Sequence, residues 1–284
     1  MQESGIITGA TTHINYKIFG YKAVAHILIN IDSQLENQLV EYLKQMPDVY
    51  SYYSRGVKGN WDIIVTLKTL EHLNDIKDAI KRQFPILEMR SAIWTDVKEM
   101  NYNLVIASEN QEDRKAAIDY QVNALRSSPR QVTLDKTDMK IADRLALDGR
   151  VPMEALGKEI GASCDTAKRR YEKLKANGVL KVTIQVNPFK MGYRALCVFF
   201  TVTSHENSFG IIEEISHIPD VISIMKTSGD YDLQIWAMAK DLTELFAVQS
   251  ELGKIQGITK IDAEVLTLEN FEKWPSPRQC ISTF

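Results

Sequence analysis

The 284-residue chain is poor in cysteine, with three, and in proline, with eight. Cys164, Cys197 and Cys280 are odd in number and form no CxxC pair, which excludes a disulfide framework and a thiolate zinc site. Long apolar runs are missing. The longest, Ala195 to Phe200, falls far short of the ~20 residues that span a bilayer. Met1 to Gly5 has neither the basic flank nor the apolar core of a signal peptide, so the expectation is a cytoplasmic protein with reduced thiols and no membrane partner. Histidines are few and scattered. No Ser-His-Asp pattern, phosphate-cradling glycine loop or recognisable carboxylate pair is present, so no catalytic residue, no cofactor and no metal site is expected. Charge of one sign is also lacking: 34 Lys and Arg against 37 Asp and Glu leave −3, which offers phosphate no general attraction. What the chain does have, 44% apolar and 25% charged residues, is the composition of a globular protein of roughly two domains.

An internal repeat organises it. His13 to Tyr21 matches Gln185 to Tyr193, with Asn and Gly-Tyr at the same offset, and Met46-Pro47-Asp48-Val49 falls on Ile218-Pro219-Asp220-Val221. Two residues out of that register, Gly59-Asn60-Trp61-Asp62 resembles Gly229-Asp230-Tyr231-Asp232. Each copy reads as an apolar β-run (Val24 to Ile31; Leu196 to Val202) followed by a helix stopped by Pro47 or Pro219. A strand pair then turns at Gly59-Asn60 or Gly229-Asp230. A second helix (Leu70 to Phe84; Leu242 to Leu252) and a last strand (Met89 to Val97; Ile261 to Leu268) complete each copy. The order βαββαβ is that of a ferredoxin-like domain, with helices on one face of an open sheet. The other face needs a cover, and a second copy would supply it.

The segment from Leu134 to Leu180 has no counterpart in the first half. Leu134, Ile141 and Leu145 are spaced for one helix, and Met153, Leu156 and Ile160 for a second after Pro152. Ser163 is placed to cap a third, Cys164 to Lys175, which Asn177-Gly178 ends. That third helix carries five basic and two acidic residues. Three short helices with the last one basic predict a helix-turn-helix whose third helix enters the major groove of double-stranded DNA. The residues expected to meet DNA are Ser163, Asp165, Thr166, Lys168, Arg169, Arg170 and Lys173. The segment holds ten basic and eight acidic residues, so the rest of the chain carries −3 − 2 = −5. The organisation predicted is α+β: two ferredoxin-like domains flanking one winged helix-turn-helix. Its boundaries are 1–105 and 183–272 for the two domains, 106–133 for a polar helical linker, 134–182 for the reader and 273–284 for a tail.

Leu134 to Ile141, Asp148-Gly149-Arg150, Ser163 to Arg170, Leu174 to Pro188, Gly192-Tyr193 and Gly229 to Asp232 together resemble the Lrp/AsnC (leucine-responsive/asparagine-activator) family of transcriptional regulators. The resemblance covers about Leu134 to Glu269, helix-turn-helix then effector (RAM-type) domain, and the first half resembles a second effector domain. It implies a DNA-binding regulator, dimeric or higher through its effector-domain sheets, that senses an amino acid or similar small effector. It also implies an effector site at Gly229, Asp230 and Asp232, with Gly59, Asn60 and Asp62 as the first-half counterpart. Turn amides suit a carboxylate and an aspartate suits an ammonium group; equally, Asp230 can simply make the turn and Asp232 cap a strand. Two departures stand out. Gly157 occupies a position where the family tends to have alanine, at ~1 kcal/mol of helix propensity. Glu3 to Ile7 is similar to Ala176 to Leu180, as if an upstream recognition helix ended where this chain begins. The alternatives are a siroheme-decarboxylase-like enzyme of the same architecture, suggested by His13 and His26 around Gly20-Tyr21, and a ligand-sensing partner module that does not bind DNA.

Overall fold

A computed structural model describes residues 4–55, 58–99, 132–204, 208–218, 220–267 and 281–282. The expected linker helix (Glu109 to Arg126), Pro219, Cys280 and nearly all of the tail lie outside the described residues. The first half runs β2 (Ala23–Ile31), α1 (Glu36–Gln45), β3 (Val49–Ser54), β4 (Asn60–Leu67), α2 (His72–Gln83) and β5 (Ile86–Glu99). The second runs β7 (Ala195–Thr203), α6 (Ser208–Ser216), β8 (Val221–Ser228), β9 (Leu233–Ala239), α7 (Leu242–Lys254) and β10 (Ile258–Thr267). Both have the order βαββαβ.

Alternation along the strands decides which face each side chain serves. On β2, Ala25, Ile27, Ile29 and Ile31 face α1 and α2, where Leu39, Leu43, Ile76 and Ile80 meet them. On β7 and β9, Cys197, Phe199, Ile235 and Ala237 face the second helix pair. Each fully buried Leu or Ile contributes about 1.5–3 kcal/mol. The opposite faces close on one another: Val24, Ile64 and Trp94 of the first half share a core with Val198, Trp236 and Met238 of the second. The halves therefore cover each other within one chain, giving four layers, α–β–β–α.

The strands form one hydrogen-bonded series, β10-β7-β9-β8-β5-β2-β4-β3. The 14-residue β5 makes this possible, because its first part pairs with β2 and its last part with β8. Arg55, just after β3, forms an ion pair with Glu264 on β10 and so draws the two ends of the series together.

The register corrects one detail of the repeat. Val24 pairs with Thr66 and Trp94 as Leu196 pairs with Met238 and Leu266, so 24, 66 and 94 each map 172 residues onward. Arg55 N donates to Asn60 O as Thr227 N donates to Asp232 O, again at 172. The two turns are thus of equal length and in register. Asn60 is equivalent to Asp232, and Asp62 to Gln234. The likeness of the two Gly-x-x-Asp tetrapeptides, two residues out of step, reflects composition and not position.

A smaller sheet joins β1 (Ile7–Asn15) antiparallel to β6 (Leu180–Val186), with β11 (Ile281–Ser282) beside β1. On it sits the reader, α3 (Lys136–Leu147), α4 (Met153–Ile160) and α5 (Cys164–Ala176), around Ile141, Leu145, Leu156, Ala167 and Leu174. Thr11 and Thr12 of β1 donate to the carbonyls of Ala146 and Leu145, both at 2.9 Å. These bonds satisfy part of the C-terminal end of α3, whose last carbonyls have no partner within the helix.

Candidate nucleic-acid interface and effector turns

The reader is built by its caps. Asp135 accepts from the amides of Thr137 and Asp138, and Asp138 reaches back to the Asp135 amide, a reciprocal capping box that starts α3. Gly157 has a local reason to lack a side chain: a Cβ there would lie 2.9 Å from the Ala162 carbonyl. The α4–α5 turn can close this tightly only over a glycine. Ser163 then caps α5 by accepting from the Thr166 amide at 3.2 Å.

From this cap α5 presents Ser163, Asp165, Lys168, Arg169 and Lys173 to solvent, with Thr166 half-buried beside them. Among the described residues no ion pair engages Lys168, Arg169 or Lys173. Arg170 is placed differently. Its guanidinium contacts Asp135 and Asp138, each at 2.7 Å, and ties α5 to the start of α3. The Asp138 amide and then Arg170 hold the Asp135 carboxyl below the usual carboxylate range. Sequence spacing could not separate Arg169 from Arg170, because the partners that occupy Arg170 lie 35 and 32 residues away.

The two turns expected to take an effector differ from one another. In the second half Gly229 and Asp230 are exposed, and Gly229 has a φ of +142°. Asp232 has work of its own: its carboxylate accepts from the Thr203 amide at 2.7 Å and from the Thr203 hydroxyl at 3.3 Å, which fastens the end of β7. Tyr231 donates to Asp262, which Lys260 also contacts at 2.7 Å. Lys260, then Tyr231, lower the pKa of Asp262.

In the first half the turn is filled from within. Glu36 accepts from the Gly59 amide at 2.7 Å and from the Trp61 indole at 3.3 Å, while Asn60 accepts from Asn30 at 2.6 Å. Asp62 is buried between the sheets, 2% exposed, 2.6 Å from Nε2 of His26 and 3.6 Å from Arg55. With Nε2–H donating to Asp62, Nδ1 of His26 accepts from the Gln234 amide at 3.1 Å, a bond between the halves. Sequence reading missed this hydrogen-bonded series entirely; His26 and Gln234 lie 208 residues apart.

His13 lies buried on β1, in the other sheet from His26. Among the described residues no group of three or more His, Cys, Asp or Glu is placed to hold a metal ion, and no helix is long and apolar enough to cross a membrane.

An AsnC-type helix-turn-helix domain matches residues 134–175, and an Lrp/AsnC ligand binding domain matches 196–270. The HTH-type transcriptional regulator LrpA of Pyrococcus horikoshii is 30% identical over 132 residues, 45% of this chain and 92% of that protein. The chain belongs to the Lrp/AsnC family. It is a DNA-binding transcriptional regulator of that family with a ligand-binding domain. The regulator FL11 of Pyrococcus furiosus is 29% identical over 126 residues, 44% of this chain and 83% of that protein. Among solved structures, siroheme decarboxylase NirDL is similar with a TM-score of 0.62 at 14% identity, covering 93% of this chain and 77% of that one. At that identity the likeness is one of fold.

Proposed function

We propose that this member of the Lrp/AsnC family reads DNA through α5 and is regulated by a small amino-acid-like effector at its exposed 229–232 turn. The two ferredoxin-like halves, a duplicated effector domain, act as an internal pair that carries the single winged reader. The observation that carries the reading is the exposed Lys168 and Arg169, in no ion pair among the described residues, on a helix that Ser163 caps and Arg170 braces. Ser163, Asp165 and Thr166 meet base edges, Lys168, Arg169 and Lys173 meet phosphates, and Arg170 holds the geometry. The reader at 134–182 meets one half of a two-fold operator, and a homo-oligomer supplies the same reader to the other half.

Of the effector residues, Gly229 and Asp230 are the ones open to a ligand. Asp232 and Asn60 keep the turns in shape, Gly59 is closed by Glu36, and Asp62 anchors the two halves to each other. The test is fluorescence anisotropy on promoter fragments across a salt series. Lys168→Ala and Arg169→Ala each flatten the slope of log affinity against log salt by about 0.9. Equal slopes for the parent and both variants refute the interface. Calorimetry against the amino acids, with Asp230→Ala as comparison, tests the turn.

The whole-chain likeness to NirDL favours a second reading, a siroheme-binding enzyme. His26 argues against it, since both its ring nitrogens are engaged inside the core. A siroheme absorbance titration without a spectral shift removes that reading.

A further inference from the structure

Where the reader meets the first half, a cleft of about 470 Å³ opens, a volume within the range of small-molecule sites. It lies outside the matched ligand-binding domain at 196–270 and away from both turns. Two cores contribute its walls. Tyr21 and Tyr50 belong to the edge of the inter-sheet core, and Phe19 to the edge of the reader core. The remaining wall is α3, which supplies Met139, 50% exposed, and Lys140.

Three features narrow the ligand. Aromatic side chains on both sides suit a flat ring. Lys140 is exposed and enters no ion pair among the described residues; Asp143, which also lines the cleft on the same helix, already takes part in an interaction of its own. Tyr16, 1% exposed, also lines the cleft, and its buried hydroxyl has no hydrogen-bond partner among the described residues. Burial, then Asp96, raise the pKa of that phenol, so it stays protonated and able to donate. A ring-bearing acid answers to the aromatic walls and the Lys140 ammonium together; a free amine or a neutral hydrocarbon answers only to part.

We infer that this cleft binds an aromatic carboxylate, its ring between Tyr21, Tyr50 and Phe19 and its carboxylate toward Lys140. The ligand touches α3 directly. Through the Asp135–Arg170–Asp138 brace, α3 sets the position of α5, so occupancy fixes the reader against the first half. This binding claim is independent of the DNA reading.

Calorimetry on the full chain with indole-3-acetate, and with indole-3-acetamide as the uncharged comparison, tests it. Expected is saturable binding of the acid that Lys140→Ala weakens about three- to five-fold, with the amide unaffected. Met139→Glu, an exposed substitution that puts an acid on the same wall, weakens the acid more than the amide. Tyr21→Ala weakens both, and Asp230→Ala changes neither. No saturable binding of the acid to the parent at millimolar concentration overturns the proposal. So does binding of equal strength in the parent, Lys140→Ala and Met139→Glu. Anisotropy on DNA with and without the acid then reads the coupling, and an unchanged affinity overturns the link from α3 to α5.

Discussion

Replacing Asp62 by alanine removes an anion from two neighbours at once. Arg55 keeps Glu264 as its counter-charge, but His26, 2% exposed, loses the acceptor 2.6 Å from its Nε2. A hydrogen bond to a charged group contributes about 1.5–3 kcal/mol. Because the His26 N–H is buried, the upper end applies, about 3 kcal/mol. For a chain of this size each kcal/mol moves the melting temperature by about 2–4 °C, so the drop is roughly 6–12 °C. Asp62→Asn retains an acceptor oxygen and costs less, about 1–2 kcal/mol. Gln234→Leu removes the far end of the chain, and in combination with Asp62→Ala it is non-additive by about 0.5–3 kcal/mol, as expected of residues that share His26. Calorimetric melting gives the size of the effect. Near-ultraviolet circular dichroism gives its location, because the Trp94 ring lies 5.5 Å from His26 and 5.9 Å from Trp236. If Asp62→Ala melts within about 2 °C of the parent with an unchanged tryptophan signal, the chain does not hold the sheets together and the reasoning fails.

Arg169→Ala weakens DNA binding and leaves the reader's melting unchanged, whereas Arg170→Ala lowers both, as separate anisotropy and thermal scans will show. Asp135 contributes at neutral pH and loses its contribution as pH falls through its depressed folded value, so the reader's acid unfolding shifts upward in pH in Asp135→Asn. Gly157→Ala destabilises the reader by about 1–3 kcal/mol despite its better helix propensity, because the added methyl meets the Ala162 carbonyl; a stabilised variant refutes the close-approach account. Burial pushes the Cys197 thiol up to about 12, so iodoacetamide at pH 8 modifies exposed Cys164 and spares Cys197 until the protein is denatured, by peptide mass mapping.

Most elements were legible because their causes are local. Apolar residues three and four apart announced α1 and the reader helices, Ser163 announced a cap, and Gly178, at a φ of +66°, announced the end of α5. The repeat itself predicted the stacked sheets, since an open face needs a cover. What escaped was decided by partners far along the chain. Arg170 looked like one more cation until Asp135 and Asp138 were found across the helix pair. Asp62 reads as an effector residue because its neighbours resemble Gly229 to Asp232, but strand hydrogen bonding sets register, and register makes it the counterpart of Gln234 in the repeat. Glu36 filling the first turn left no mark on the sequence around Gly59.

The His26 bridge also says what two linked halves gain over two identical subunits. Asp62 and Gln234 are equivalent positions, while the equivalent of His26 is Val198. A self-complementary dimer of one domain would have to place the same residue at both, two imidazoles or none. Linkage releases that constraint: one half can supply a lone imidazole and an acid, the other an amide and a valine, and the pairing becomes directional. Each half can then change without its twin, so the turn that Glu36 closes and the turn left open at Asp230 need not answer to the same selection.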